Sequence, residues 1–577
     1  MDNENRQGAG GVGLEWERMA EARALIRPGS VWRGVKDFLS ARTVDVTGGL
    51  LLLLLAVFLV WPIIVILVKG VFGPEGFTLE FYQKFFTAYY YQSFLNTLLL
   101  GVLTTSACII VGFCIAYMTT RGPMFLRTPL KLITLLPLIA PPYIFALSLI
   151  ILFGRSGFIT QAFGLGWNIY GFSGVVLAQT LAFLPLAYLM LENALSSLAP
   201  SLEDSAANLG ASETKILRSI IIPLLTPSFL KAILIVYVMA VAEFGNVAIL
   251  SGRTAFLAPD IYTVITGVEV NFNLAGVLSM FLVLPVAILF LIQNYLIKGR
   301  SYITVTGKPI SAEPRHIGKH ILIPMIVISL IAVGFISLSF GVVGLGGFTK
   351  IVGIDNTFTL SHILDWRAND GLINSLRVSL LAGLLGAMLG VIIAYVVVRG
   401  KFRGRTSLEG LYLAGFALPG TVLGVGYLLT FNSPPLLLTG TMMILVINCL
   451  FRFAAVGMEA GIIKLQQLSI EVEEASLNLG ASTITTFRRI VLPIIFPAAM
   501  YGFIYVFMTT MVSLSAVVFL TSPGSPLASV FIFQWANYGY IGLASATTVK
   551  VIVIVAICVA IIQYMSRWTG LSITRRG

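Results

Sequence analysis

Charge is scarce in this sequence: Asp, Glu, Lys and Arg make up 11% of its 577 residues, against 57% hydrophobic residues. An ordinary soluble domain carries about a quarter charged residues, so a water-facing globule is excluded. Histidine is nearly absent. His316, His320 and His362 are the three in the chain, the first two in or beside a polar connector. They cannot build a metal cage within apolar segments, and no metal-binding residue is assigned. The four cysteines, Cys108, Cys114, Cys449 and Cys558, all fall in apolar runs, where a thiol packs as a small hydrophobe. No disulfide framework follows. Nucleotide-binding chemistry is missing as well. No Gly-x-x-x-x-Gly-Lys-(Ser/Thr) stretch occurs, and Thr306-Gly307-Lys308-Pro309 lacks both the upstream glycine and the hydroxyl residue. Nothing here cradles phosphates as a P-loop does. With no nucleophile beside a base and no His/Glu/Asp cluster, no catalytic residue is assigned either.

What is present is apolar length, with a mean hydropathy of +0.94. Runs able to cross about 30 Å of hydrocarbon are predicted near 46–69, 94–120, 130–153, 171–192, 224–250 and 274–297. Six more follow near 320–346, 373–398, 408–430, 436–457, 494–520 and 544–566. The fold class is therefore an all-α polytopic membrane protein of about 12 transmembrane helices. The chain divides into a tail at 1–45, a first half at 46–297, a linker at 298–319 and a second half at 320–570. Within the tail, Leu14–Ile26 reads either as loosely ordered or as an amphipathic helix on the lipid surface.

A net charge of +12 raises the question of nucleic acid, and the placement of the charges answers it. Arg121, Arg127 and Lys131, then Arg399, Lys401, Arg403 and Arg405, then the linker and the terminal Arg567, Arg575 and Arg576 all fall on one side. The other side holds Lys69, Lys84, Arg155, Arg253, Lys350 and Arg367. That is the bias that orients a membrane protein, and it puts both termini in the cytoplasm with no nucleic acid implied.

One stretch is written twice. Glu203-Asp204-Ser205-Ala206-Ala207-Asn208-Leu209-Gly210-Ala211-Ser212, followed by Arg218, Ile220, Pro223 and Pro227, returns 270 residues later. There it reads Glu473-Glu474-Ala475-Ser476-Leu477-Asn478-Leu479-Gly480-Ala481-Ser482, with Arg488, Ile490, Pro493 and Pro497. Internal repeats outrank other signals. Each copy reads as a short acidic helix stopped at a glycine, then a second helix ending before a proline. The bounds are 201–223 and 471–493, both on the cytoplasmic side. A second repeat, Asn96-Thr97-Leu98 with Gly112, Ala116, Tyr117, Arg121 and Gly122, recurs at a shift of 278 as Asn374-Ser375-Leu376 with Gly390, Ala394, Tyr395, Arg399 and Gly400. Pro137 and Pro419 are read as counterparts in the next span. The halves are thus parallel copies related by an axis along the membrane normal, with a pathway between them.

The doubled stretch resembles the EAA loop of binding-protein-dependent ABC importer permeases, with Asp204 in place of the second Glu and Ser205 and Ser476 in place of Ala. The resemblance implies a type I importer permease in which each loop is a coupling helix seated in a cleft of an ATPase subunit. It implies Glu203, Asp204, Ala206, Leu209, Gly210, Ala211, Ser212 and Pro223 as coupling residues in the first half. Their counterparts are Glu473, Glu474, Ala475, Leu479, Gly480, Ala481, Ser482 and Pro493. The implied partners are two copies of that ATPase, which would hold ATP and Mg while this chain binds no cofactor, an extracytoplasmic substrate-binding protein, and membrane lipid. The implied location is the bacterial inner membrane.

The fused two-loop chain, Phe77-Thr78-Leu79-Glu80 and the stretch from Arg300 to Pro309 resemble the fused permeases of ferric iron importers. Fused thiamine and 2-aminoethylphosphonate permeases look similar. An ion-coupled secondary transporter also has about twelve spans in two halves, but it has no use for twin glycine-cornered loops.

Charge inside the membrane is expensive and marks function by default. Glu243 falls within the span after the first loop, with Asn246 beside it; the 270 shift brings Ser513 and Ala516 to those positions. Glu243, Asn246 and Ser513 are candidates for a pathway or gate, against the alternative of a buried contact that stabilises packing. Arg452 and Lys550 are expected to pair with Glu243 or Glu459, or to reach an interface. The Pro137–Pro142 and Gly415–Gly426 stretches predict broken helices or close helix contacts.

Overall fold

A chain segment in hydrocarbon has no water to bond its backbone and must satisfy it internally, which helices do. The computed structural model describes residues 44–73, 75–164, 166–297, 318–400 and 403–568. The tail with Leu14–Ile26, most of the linker, Lys401, Arg575 and Arg576 lie outside the described residues.

In the first half, α1 (Val44–Val71) and α2 (Ala88–Arg121) are single helices. The third span is in two pieces, α3 (Met124–Leu135) and α4 (Ile144–Phe153), and α5 (Phe172–Ser197) is the fourth. The elbow helix α6 (Pro200–Asn208) leads into the fifth span, α7 (Glu213–Ala242). Two short helices on the opposite face, α8 (Gly245–Leu250) and α9 (Leu257–Thr266), precede the sixth span, α10 (Phe272–Ile297).

The second half repeats this order. It has α11 (Lys319–Gly347), α12 (Asn369–Arg399), α13 (Arg405–Ala417) and α14 (Gly420–Thr430), then α15 (Met442–Phe453) and α16 (Ala455–Gln466). The elbow helix α17 (Ile470–Asn478), the span α18 (Ile484–Val512), α19 (Ala528–Asn537) and α20 (Ile541–Trp568) complete it. Among the described residues, ten helices are long and apolar enough to cross a membrane, or twelve when each of two bent pairs counts as one span.

Four of the predicted spans are interrupted at a proline or a polar residue. α3 ends in a tight turn at Leu136–Ile139 around Pro137, and α13 meets α14 at 107° across Leu418-Pro419. The residue before a proline is pushed to extended backbone, and Leu418 is extended there. The span expected at 224–250 stops at Ala242, with Glu243 extended, and the one expected at 494–520 stops at Val512, with Ser513 extended.

Each half sends its first span across to the other. On α1, Pro62 has no N–H to give the carbonyl of Phe58, so the helix opens into one wide turn at Ala56–Val60. Tyr427 Oη from α14 donates to that orphaned carbonyl at 2.6 Å. On α11, Ser339 Oγ meets Ser148 Oγ of α4 at 3.0 Å.

The Asn-Thr and Asn-Ser repeat near the start of α2 and α12 also has a local cause. Asn96 Nδ2 donates to the Ala255 carbonyl at 3.0 Å, and Thr97 Oγ1 accepts from the Leu257 N–H at 3.0 Å, capping α9. Asn374 and Ser375 do the same for Pro526 and Ala528 at the start of α19. Helix starts need such acceptors, most of all away from water.

Candidate coupling elbows and the pathway between the halves

The elbow is built by a helix stop. In the first copy the Ala211 N–H donates to the Ala206 carbonyl at 3.0 Å and the Gly210 N–H to the Ala207 carbonyl at 2.8 Å. Ala481 and Gly480 repeat this onto Ser476 and Leu477 at 3.2 and 2.9 Å. This is the Schellman pair of bonds, which needs a left-handed residue at its corner. Gly210 (φ +81°) and Gly480 (φ +87°) supply it.

The corner lifts one leucine clear of the protein. Leu209 is 89% exposed and Leu479 90%, with Asp204, Ser212, Glu474, Ala475 and Ser482 also exposed and Ala206, Ala211 and Ala481 half-buried. Pro223 and Pro493, expected to close the second helix of each loop, do not. A five-residue wide turn, Leu217–Ile221 or Phe487–Val491, precedes each proline, and the helix runs on into α7 or α18. The wide turn absorbs the clash between the ring and the preceding turn that otherwise breaks a helix.

Glu203 and Glu473 face the other way. They are 7% and 6% exposed. Arg121, at the end of α2, donates to Glu203 Oε1 from Nε at 3.0 Å and from Nη2 at 2.9 Å. Its Nη2 also reaches the Leu195 carbonyl in the last turn of α5 at 3.2 Å. In the second half, Arg399 Nε donates to Glu473 Oε1 at 2.7 Å, and Nη2 to the carbonyls of Leu465 and Leu468 at 3.1 and 2.8 Å. The repeat of Arg121 as Arg399 was visible in the sequence; that it answers the repeat of Glu203 as Glu473 was not, because the two pairs shift by different amounts.

Between the halves, the two interrupted spans meet. A Cβ on Gly245 would stand 3.2 Å from Leu514. Glu243 Oε2 accepts the N–H groups of Asn246 at 2.9 Å and Val247 at 3.4 Å, so the carboxylate caps the start of α8. Asn246 Oδ1 in turn accepts from the Ala146 N–H at 3.2 Å. Glu243 and Asn246 thus hold one broken helix against α4, while Ser513 on the other side is nearly buried.

Of the two alternatives for Arg452 and Lys550, pairing with Glu243 or Glu459 is not found. Arg452 Nη1 lies 3.3 Å from Ser515 Oγ, and Lys550 Nζ donates to the Asp365 carbonyl at 3.1 Å. Glu192 pairs with Lys131 at 3.0 Å.

Sequence reasoning missed four rings packed across the same seam. Phe244 and Tyr262 of the first half meet Phe519 and Phe533 of the second, with centroids 5.2 to 6.3 Å apart. Beside them, Asp260 of α9 accepts from Ser93 Oγ at 2.5 Å and Tyr89 Oη at 3.0 Å. Burial raises its carboxyl above the ordinary range, while those two hydrogen bonds pull the other way. Among the described residues, no group of three or more His, Cys, Asp or Glu side chains is placed to hold a metal ion.

Two parallel halves with matching elbows on one face and a seam between them are the layout of a two-half permease, and sequence comparison agrees. The profile described as "Binding-protein-dependent transport system inner membrane component" matches twice, over residues 108–302 and 386–570. The chain belongs to that family.

As a fused two-half permease of a binding-protein-dependent ABC importer, it is a transport subunit rather than an enzyme, with its ATPase on a separate chain. The ferric transport system permease protein FbpB of Actinobacillus pleuropneumoniae is 33% identical over 523 residues, covering 88% of this chain and 76% of that one. A putative ferric transport system permease protein of Haemophilus influenzae, FbpB 1, is 33% identical over 496 residues, covering 83% and 78%. The molybdenum transport system permease protein ModB of Azotobacter vinelandii is 31% identical over 180 residues, covering 30% of this chain and 80% of that one. This fused permease is a multi-pass membrane protein, and membership sets aside an ion-coupled secondary transporter.

Proposed function

We propose that this permease imports ferric iron, handed to it by an external binding protein and driven by ATP hydrolysis on two copies of a partner ATPase. The likeness to two ferric transport permeases over most of the chain supports the substrate. The observation that supports the drive is the pair of elbows, each presenting an exposed leucine on a rigid glycine corner of the same face.

In this reading the elbows and both termini face the cytoplasm of a bacterial inner membrane. ATP and Mg stay on the ATPases, and Leu209, Gly210, Leu479 and Gly480 seat in their clefts, flanked by Asp204, Ala206, Ala211, Ser212, Glu474, Ala475, Ala481 and Ser482. ATP draws the two ATPases together and the elbows follow. The halves rock, and the seam held by Phe244, Tyr262, Phe519 and Phe533 opens to the outside. Glu243, Asn246 and Ser513 act at the gate by fixing the helix breaks that carry these rings. The pathway needs no strong site of its own, since the binding protein selects the substrate.

The experiment is uptake of radiolabelled ferric iron by proteoliposomes holding the permease, its ATPase and its binding protein. Uptake that requires ATP and the binding protein supports the reading. Uptake of thiamine or 2-aminoethylphosphonate in place of iron would overturn the substrate.

A further inference from the structure

Of the nine residues of α6, Glu203 is the buried one; of the nine of α17, Glu473 is. Each elbow helix therefore sinks one residue fully into the bundle, a carboxylate. That carboxylate meets one guanidinium, which also holds the last-turn carbonyls of the preceding span. Arg121 joins α2, α5 and α6 at one point, and Arg399 joins α12, α16 and α17.

We propose that Arg121 and Arg399 are the positioning residues of energy coupling, struts that carry the movement of each elbow into the two spans beside it. The proposal rests on the reading of the chain as an ATP-driven importer. Without the strut an elbow stays covalently joined to α5 and α7, or to α16 and α18, but loses its hold on α2 or α12, which lags behind.

Three physical points support this. A buried ion pair is a poor way to gain stability, because apolar side chains of similar volume do as well or better; its fixed geometry is what it adds. The planar fork of arginine binds carboxylate and carbonyls at once with little slack, which the point charge of lysine does not match. The same three-way joint recurs in both halves, on pairs whose offsets in sequence differ, 278 for the arginines and 270 for the glutamates.

The test uses the full complex in proteoliposomes with binding protein loaded with ferric iron, and reads iron taken up per ATP hydrolysed alongside co-purification of the ATPase. With Arg121→Gln and Arg399→Gln together, co-purification and hydrolysis are expected to persist. Uptake per ATP is expected to fall about tenfold, within the 5–150-fold range of ordinary coupling factors. Lysine at both positions gives an intermediate value. The exchanged pairs R121E/E203R and R399E/E473R recover part of the loss.

Unchanged uptake per ATP in the Gln variant overturns the proposal. So does a loss of uptake that tracks a loss of bound ATPase, which would make the joint a scaffold for docking alone. Failure of any ATPase to co-purify with the unaltered chain would strike the importer reading itself, a distinguishable result.

Discussion

The Arg121 guanidinium lies 2.9 Å from the Glu203 carboxylate, with both side chains about nine-tenths buried, at the cytoplasm-directed end proposed for α2. Removing one partner strands a buried charge and costs about 3–5 kcal/mol, whereas replacing both with apolar residues is close to neutral. Glu203→Ala is expected to lower the unfolding temperature in detergent clearly, and R121M/E203L much less. Equal losses from the two variants would show that the pair does not act as a unit.

Gly210 and Gly480 have open space where a Cβ would go, so substitution there costs backbone strain alone. A bulky residue held in left-handed backbone costs about 1–3 kcal/mol, enough to unwind the corner. Replacing both glycines with leucine is expected to leave the spans inserted, as judged by membrane fractionation, and to abolish iron uptake. Normal uptake would argue against a rigid elbow.

Phe244 is fully buried in the four-ring seam between the halves. Phe244→Ala removes contacts worth about 3–5 kcal/mol in a well-packed core and is expected to raise leakage across proteoliposomes in the absence of ATP. A tight vesicle with this variant would show that the rings do not close the pathway.

Asp260 holds its proton to higher pH than an unfolded aspartate because it is buried. The folded state then binds more protons than the unfolded one across that window, so stability falls as pH rises from about 4, the ordinary aspartate value, and levels off above the raised value. Hydrogen-exchange protection at 257–266, taken relative to the intrinsic exchange rate at each pH, is expected to fall over that window and to lose the trend in Asp260→Asn. A trend of opposite sign would contradict the assignment.

Spans, duplication and elbows were legible because each is a local signal: an apolar run, a repeated Asn-Leu-Gly-Ala-Ser, a glycine with a proline at fixed distance. The interruptions were partly legible. Pro137 and Pro419 announce theirs, but α7 stops at Glu243 because the carboxylate caps the next helix, a contact no periodicity reveals. Pro223 and Pro493 misled for the opposite reason, since a wide turn ahead of each lets the helix continue.

The joints and the aromatic seam join residues far apart in sequence. Ser93 bonds Asp260, while in the second half Gly371 occupies the place of Ser93 and leaves room for Phe531, 2.7 Å from where a Cβ would stand. One sequence read alone does not pair such positions.

The most direct test of the central claim is labelling of Leu209→Cys and Leu479→Cys with a membrane-impermeant maleimide. The native Cys108, Cys114 and Cys449 are buried and Cys558 is half-buried, so the background is low. Both introduced thiols are predicted to react in inverted vesicles, to be spared in intact cells, and to be shielded once the ATPase is bound. Labelling from the cell exterior, or labelling indifferent to the ATPase, would contradict the account.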